Sequence, residues 1–179
     1  RTPLRAALEV LKERHEKAVA LCRKVEMSCA QVRGAEGLYW SGRLVAADMA
    51  TLAMILRTNG LPCLRDLYLG SNGLGDTAMQ VLCDGLGRGT APSLRILGLG
   101  GNKFGPAGAE ALAAALGRGA MPKLEWLDLI ANPIGSRGVA VLAAPLRKRP
   151  GLNQLLLGHC DIGDEGVASL VDNLGKDDF

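Results

Sequence analysis

The stretch Leu64-Arg65-Asp66-Leu67-Tyr68-Leu69-Gly70-Ser71-Asn72-Gly73-Leu74 decides the fold. Three spaced leucines lead to an asparagine, and a further leucine follows. The phrase returns as Leu94-Leu97-Leu99-Asn102-Phe104, as Leu124-Leu127-Leu129-Asn132-Ile134 and as Leu152-Leu155-Leu157-Cys160-Ile162. Its asparagine position therefore recurs almost evenly, at Asn72, Asn102, Asn132 and Cys160. A unit this short cannot bury an apolar face alone. A fixed period means units stacked side by side around one continuous core. The spaced apolar residues are committed to that core, and activity is left to the surface positions between them.

Each copy reads as a short strand followed by a helix. Pro62, Pro92, Pro122 and Pro150 precede the four phrases. Each proline ends the helix before it and sets the residue ahead of it extended. The asparagine side chain can satisfy backbone groups where the chain leaves the strand. Asp76, Ser136 and Asp164 stand where a helix N-cap would accept orphan amides, and Pro106 takes the first-turn place in the second copy. Leu82, Leu112, Leu142 and Leu170 recur in the helices. Leu86, Leu116, Leu146 and Leu174 follow one helical turn on, completing an inward stripe. Gly108, Gly138 and Gly166 share one position, with Ala78, where a helix crowds its neighbour. Pro145 falls inside the third helix and should bend or shorten it.

Upstream the pattern weakens. Moving back by one repeat maps Leu74, Leu82 and Leu86 onto Leu44, Leu52 and Leu56, but puts Gly34 and Gly37 where leucines belong. Residues 34–63 thus read as a degenerate first repeat ahead of four regular ones at 64–174. Residues 3–33 read as one helix. Leu4, Leu8, Leu11, His15, Ala18, Cys22, Val25, Cys29 and Val32 alternate by 4 and 3, a heptad seam with charged flanks. The division is an amphipathic helix over 1–33, which caps the stack or docks on a partner, and a repeat domain over 34–179.

The bulk numbers narrow the function. The net charge of +3 on 179 residues lacks the strongly basic face of a nucleic-acid binder. No apolar run is long enough for a membrane span. The five cysteines are scattered and odd in number, which reads as reduced thiols in an intracellular, most simply cytoplasmic, compartment. The chain starts at Arg1, as a processed protein or a piece of a longer one would. It ends at Phe179 without a polar closing repeat.

The repeat phrase, its period and the strand–helix alternation resemble the ribonuclease-inhibitor-like class of leucine-rich repeats. Asn72-x-Leu74-Gly75-Asp76 and Cys160-x-Ile162-Gly163-Asp164-Glu165-Gly166 are similar to repeats of NOD-like receptors and of Ran GTPase activators. The resemblance covers 64–174 well, 34–63 weakly and 1–33 not at all. It implies an α/β solenoid with a parallel sheet on its concave face and helices on its convex face. With about five repeats, a shallow arc is expected rather than a full horseshoe. Most members of the class bind proteins, and a minority activate a GTPase.

Strand alternation sends Leu67 and Leu69 inward and Asp66, Tyr68 and Gly70 outward. Aligning the copies gives outward columns: Arg65, Arg95, Glu125, Asn153; Asp66, Ile96, Trp126, Gln154; Tyr68, Gly98, Asp128, Leu156; and Gly70, Gly100, Ile130, Gly158. Bare glycines lie at the centre, with Tyr68, Ile96, Trp126, Ile130 and Leu156 around them. Asp66, Glu125 and Asp128 lend acidic character. Large apolar residues on a solvent-facing strand face suggest a protein-binding patch with an aromatic anchor. The expected contact residues are Asp66, Tyr68, Ile96, Trp126, Asp128, Ile130 and Leu156.

Chemistry is poorly provided for. His15 sits on the helix seam as a packed residue. His159 neighbours an inward-pointing Cys160, and adjacent residues do not make a nucleophile–base pair. Asp66 and Asp128 are two strands apart, too far to share a proton. No metal-ligand spacing or phosphate loop is present. The expectation is a non-enzymatic recognition or scaffolding module with no cofactor and no small-molecule substrate. Two other readings stand beside it: a GTPase-activating domain like the Ran activators, and a structural subunit docked by its N-terminal helix.

Overall fold

The structure is a computed structural model that describes residues 3–174, with the side chain of Leu174 excepted. Five three-residue strands form one parallel sheet in chain order: β1 (Gly37–Tyr39), β2 (Asp66–Tyr68), β3 (Ile96–Gly98), β4 (Trp126–Asp128) and β5 (Gln154–Leu156). A helix follows every strand: α3 (Met49–Arg57), α4 (Asp76–Asp84), α5 (Pro106–Gly117), α6 (Gly135–Arg147) and α7 (Asp164–Leu174). Ahead of them stand α1 (Pro3–Lys24) and α2 (Cys29–Gly34). Consecutive strands pair and consecutive helices pack, which makes this a leucine-rich-repeat solenoid.

The core lies between strand layer and helix layer. Leu64, Leu67, Leu69 and Leu74 are buried, as are their counterparts in the next two copies. The fourth copy differs. Leu152, Leu155, Leu157 and Ile162 are only half-buried, because among the described residues they are covered from one side. Each member of the helix stripe through Leu146 is buried, and Leu170 is half-buried. Leu174 lies outside the described side chains.

The asparagines form a ladder along one edge of the sheet. The Asn102 amide donates to the carbonyls of Leu69 and Leu99 at 3.0 and 2.8 Å. Its oxygen accepts the N–H groups of Asn72 and Leu74 at 3.0 and 3.1 Å. Asn72 and Asn132 likewise donate to the carbonyls of two successive repeats. Cys160 keeps the thiol version of the contact, at 3.1 Å from the Leu129 carbonyl. Just before each of these residues the chain turns through positive φ, at Ser71, Gly101, Ala131 and His159. The strained Ser71 and Ala131 turns are held because their N–H groups donate to Gly100 and Gly158.

Several expectations are corrected. The degenerate repeat has its strand after all, one position off the expected place. Leu38 pairs with Leu67, not Gly37, and Trp40 fills the place of Leu69. The strand is out of step with the helix because the turn joining them is shorter by a single residue than in the later copies. The N-terminal helix is not continuous over 3–33. It closes in a Schellman turn: Glu26 takes φ 58°, and Met27 N–H donates to the Cys22 carbonyl. A new helix then starts at the Ser28–Gln31 capping box. Only the end of α1 is packed, through Leu21 and Cys22, while Leu4, Leu8, Leu11 and His15 are exposed. His15 is thus not a packed histidine. Ala91 and Met121 precede prolines yet adopt φ 51° and 48° rather than an extended backbone. Burial of both side chains holds them there. Pro145 does not shorten α6, which runs 13 residues. It falls near the end, where one lost bond is offset by burial of Leu142 and Leu146.

The expected caps also act differently. Asp76 is the first residue of α4, and its carboxylate accepts Gly105 and Gly108 N–H at 2.7 and 2.8 Å, capping the next helix instead of its own. Ser136 reaches forward in the same way, accepting Gly163 N–H at 3.1 Å. Arginines fasten the opposite ends. Arg118 donates to the carbonyls of Cys83 and Leu86 at the end of α4, and Arg149 to those of Leu116, Ala120 and Met121 at the end of α5. Both arginines thus complement a helix C-terminus.

Removing the Asn102 amide strands buried carbonyls and amides of two repeats at once. Asn102→Ala should lower unfolding free energy by about 3 kcal/mol or more, measured by urea titration. A loss under about 1 kcal/mol, no more than one ordinary hydrogen bond, would show that the ladder is not the fastening described.

Candidate functional site

Strand pairing settles which side chains share the concave face. Asp66, Ile96, Trp126 and Gln154 are successive register partners, and so are Tyr68, Gly98, Asp128 and Leu156. The six expected contact residues from Asp66 to Ile130 are half-buried, and so is Leu156 on β5. Inward neighbours Leu67, Leu97 and Leu127 are buried; burial alternates along β2 and β4, while in β3 the outward Gly98 is itself buried beneath the Tyr68 ring.

The patch is built around missing side chains. A Cβ on Gly98 would lie 2.6 Å from the Tyr68 ring, and one on Gly100 would lie 3.0 Å from the Asp128 carboxylate. The tyrosine therefore leans over one glycine and the aspartate over the other. Between them is an open depression of about 350 Å³, floored by Gly98, Gly100 and Gly101 and walled by Tyr68, Asp128 and Ile130. Asp128 is oriented there by its Oδ1, which accepts the Ile130 N–H at 2.9 Å.

One residue of the patch escaped sequence reasoning. Tyr39 projects from β1 opposite Tyr68, and the two rings stack with centroids 5.2 Å apart and planes 14° from parallel. Tyr39 is 66% exposed, the most open aromatic side chain on the face. The signal that could have found it was Trp40. Assigning that large apolar residue to the core would have put Leu38 inward and Tyr39 outward.

The acidic character is narrower than expected. Glu125 pairs with Arg95 across the strands at 3.6 Å, and Glu36 with Arg65 at 3.4 Å. These exposed pairs contribute little to stability but cancel the charge of that column. Asp66 and Asp128 remain as the acidic groups of the patch centre. Their influence is felt at Tyr68. Burial pushes its phenol above the ordinary tyrosine value, and the charges of Asp66, Tyr39 and Asp128 push it the same way.

His159 is exposed at the left-handed turn after β5, while Cys160 is buried beside it. Burial raises the thiol of Cys160, and that of Cys83 to about 12. Among the described residues, no group of three His, Cys, Asp or Glu side chains could hold a metal ion. No described helix is long and apolar enough to cross a membrane.

A family model for the leucine-rich repeat matches residues 60–83, 90–113 and 152–171. These three segments are leucine-rich repeats. The copy between the second and third matches is joined to its neighbours by the β3–β4 and β4–β5 pairings, so the array is unbroken. No curated protein matches the chain. Leucine-rich repeats generally mediate protein–protein interaction, and the open strand face is where this array presents its outward strand side chains.

The raised Tyr68 phenol gives a check on this geometry. An alkaline ultraviolet titration should contain a tyrosinate component above the ordinary range, which Tyr68→Phe removes and Asp66→Asn moves to lower pH. Loss of the proton is what the surroundings oppose, so the ring stays neutral to higher pH than a free tyrosine. A titration unchanged by Tyr68→Phe would contradict it.

Proposed function

We propose that this chain is a non-catalytic recognition module that binds a protein segment on its concave strand face. The supporting observation is the glycine-floored depression with Tyr68 and Asp128 on its walls and Tyr39 and Trp126 beside it. It offers an aromatic face and a carboxylate within one small area, while the nearby arginines are engaged with Glu36 and Glu125. That combination suits a lysine or arginine side chain flanked by apolar residues, held by charge and by the ring face. Ile96, Ile130 and Leu156 supply the apolar surroundings. The repeats themselves fit the ribonuclease-inhibitor-like class by period and by strand–helix alternation.

The GTPase-activating reading has thinner support. The loop Gly101–Lys103 carries one charged side chain and the loop Ala131–Pro133 carries none.

A second reading has an observation of its own. Residues 3–17 of α1 are exposed all round, and Leu4, Leu8 and Leu11 are 72%, 50% and 59% exposed. An isolated helix of this length is marginal in water. Covering its leucines with a partner would stabilise it by roughly 1.5–3 kcal/mol for each one fully buried. This is the docking-helix role, and it is compatible with a separate partner on the strand face.

The test begins with cross-linking mass spectrometry on captured partners, which identifies the face they touch. Trp126→Ala should then weaken binding by about 2 kcal/mol, roughly 30-fold, in a titration with the purified partner. Raised salt should weaken it further. Unchanged affinity discards the strand-face assignment, and stimulated GTP hydrolysis in a panel of small GTPases favours the activator reading. Deleting residues 3–17 separates the docking role. The repeats should stay folded and lose only the partner held by α1.

A further inference from the structure

We propose that Cys22 and Cys29 form a reversible disulfide, making the junction of α1 and α2 an oxidation site. The sulfurs are 3.1 Å apart, closer than two sulfurs simply resting side by side. The other three cysteines lie on separate repeats: Cys63 ahead of β2, Cys83 in α4 and Cys160 after β5. The linear spacing gave no hint of a pair. The Schellman turn at Glu26 and the Ser28–Gln31 capping box fold the chain back and bring the two thiols together.

The backbone already brings the two sulfurs to contact distance. Its turn is already closed by hydrogen bonds, and the sulfurs have only to approach from 3.1 Å to a bond length of about 2.05 Å. Accessibility divides the roles. Cys29 is exposed and Cys22 is buried, its thiol pushed up to about 11 by burial and by the neighbouring Cys29. A small-molecule disulfide such as oxidised glutathione therefore meets Cys29 first. The Cys29 thiolate attacks one sulfur of that disulfide and expels a glutathione thiolate. Cys22 then gives up its proton and attacks the Cys29 sulfur of the mixed disulfide, expelling the second glutathione. Two electrons pass from the cysteine pair to the oxidant, and the two thiol protons leave with the two glutathione molecules. The bond closes a ring at the point where the projecting part of α1 meets the packed cap, so it fixes the base of that helix.

The full chain is equilibrated with an excess of oxidised over reduced glutathione, quenched with acid, alkylated and mapped by mass spectrometry. The segment holding Cys22 and Cys29 should be internally linked and two hydrogens lighter than its reduced form, and the chain should regain five alkylatable thiols on reduction. Cys63 serves as an internal control: it is exposed on another repeat and should take up glutathione as a mixed disulfide. Cys29→Ser replaces an exposed side chain and should leave Cys22 unmodified in the folded protein. Glutathione retained on Cys29 as on Cys63, or a Cys29 that stays reduced while Cys63 is modified, overturns the proposal.

Discussion

The structure depends on the side-chain amide that closes each of the three central strands. A three-residue strand must give way to a turn within the core, where unpaired carbonyls and N–H groups are costly. Asn102 meets four such groups with one side chain: the Leu99 carbonyl of its own repeat, and the Leu69 carbonyl and the Asn72 and Leu74 N–H groups of the repeat before it. The reach is always backwards. Asn72 serves the Trp40 carbonyl and the Leu44 N–H, so the first repeat functions with Arg43 in the following turn and no asparagine of its own. In the fourth regular repeat Cys160 keeps the backward contact to the Leu129 carbonyl through its thiol. The missing asparagine of the first repeat is thus a consequence of one directional contact.

A second row of fasteners runs along the helices. Asp76 and Ser136 hold the start of the following repeat's helical segment, and Arg118 and Arg149 hold the end of the preceding one. The Arg149 guanidinium is held by three carbonyls, and its burial pulls its pKa down. With strands tied at the asparagine edge and helices tied at both ends, the leucines pack between two fixed layers. The outward strand positions take no part in these fastenings. In a stack where each repeat meets only its neighbours, such positions can change without unfolding the rest.

Much of this was legible because a fixed period converts sequence into register. Once Asn72, Asn102 and Asn132 were aligned, the partners Asp66, Ile96 and Trp126 followed by counting. The same counting failed at β1. A single deleted residue in the turn after the strand moved Leu38 and Trp40 out of line while Leu44, Leu52 and Leu56 stayed in. The heptad pattern over 3–33 left a cap and a docking helix open, and it misread two helices as one and His15 as packed. Burial is decided by what lies opposite, and nothing lies opposite Leu4 or Leu8 among the described residues. The Arg118 and Arg149 clamps were invisible for a different reason. Their partners are backbone carbonyls of the preceding repeat, which carry no residue-type signal. The pairing of Glu125 with Arg95 was within reach, since both stood in one column, and it narrows the acidic centre to Asp66 and Asp128.

The glycines separate what the fold requires from what the face presents. A Cβ on Gly166 would meet Ser136 Cα at 2.8 Å, and one on Gly138 would meet Ala109 and the Pro106 Cα at 3.1 and 3.3 Å. Those positions are bare because helices meet there. Gly98 and Gly100 are different. The nearest atoms to a Cβ on them belong to the Tyr68 ring and the Asp128 carboxylate, and not to the backbone. Crowding by neighbouring backbone therefore does not explain the absence of side chains at these two positions. What their absence does provide is room for Tyr68 and Asp128 to lie down over the sheet, one on each side of an open floor. An array needing only stability would gain from β-branched residues at these strand positions. The proposed docking of a partner's side chain would use that bare floor.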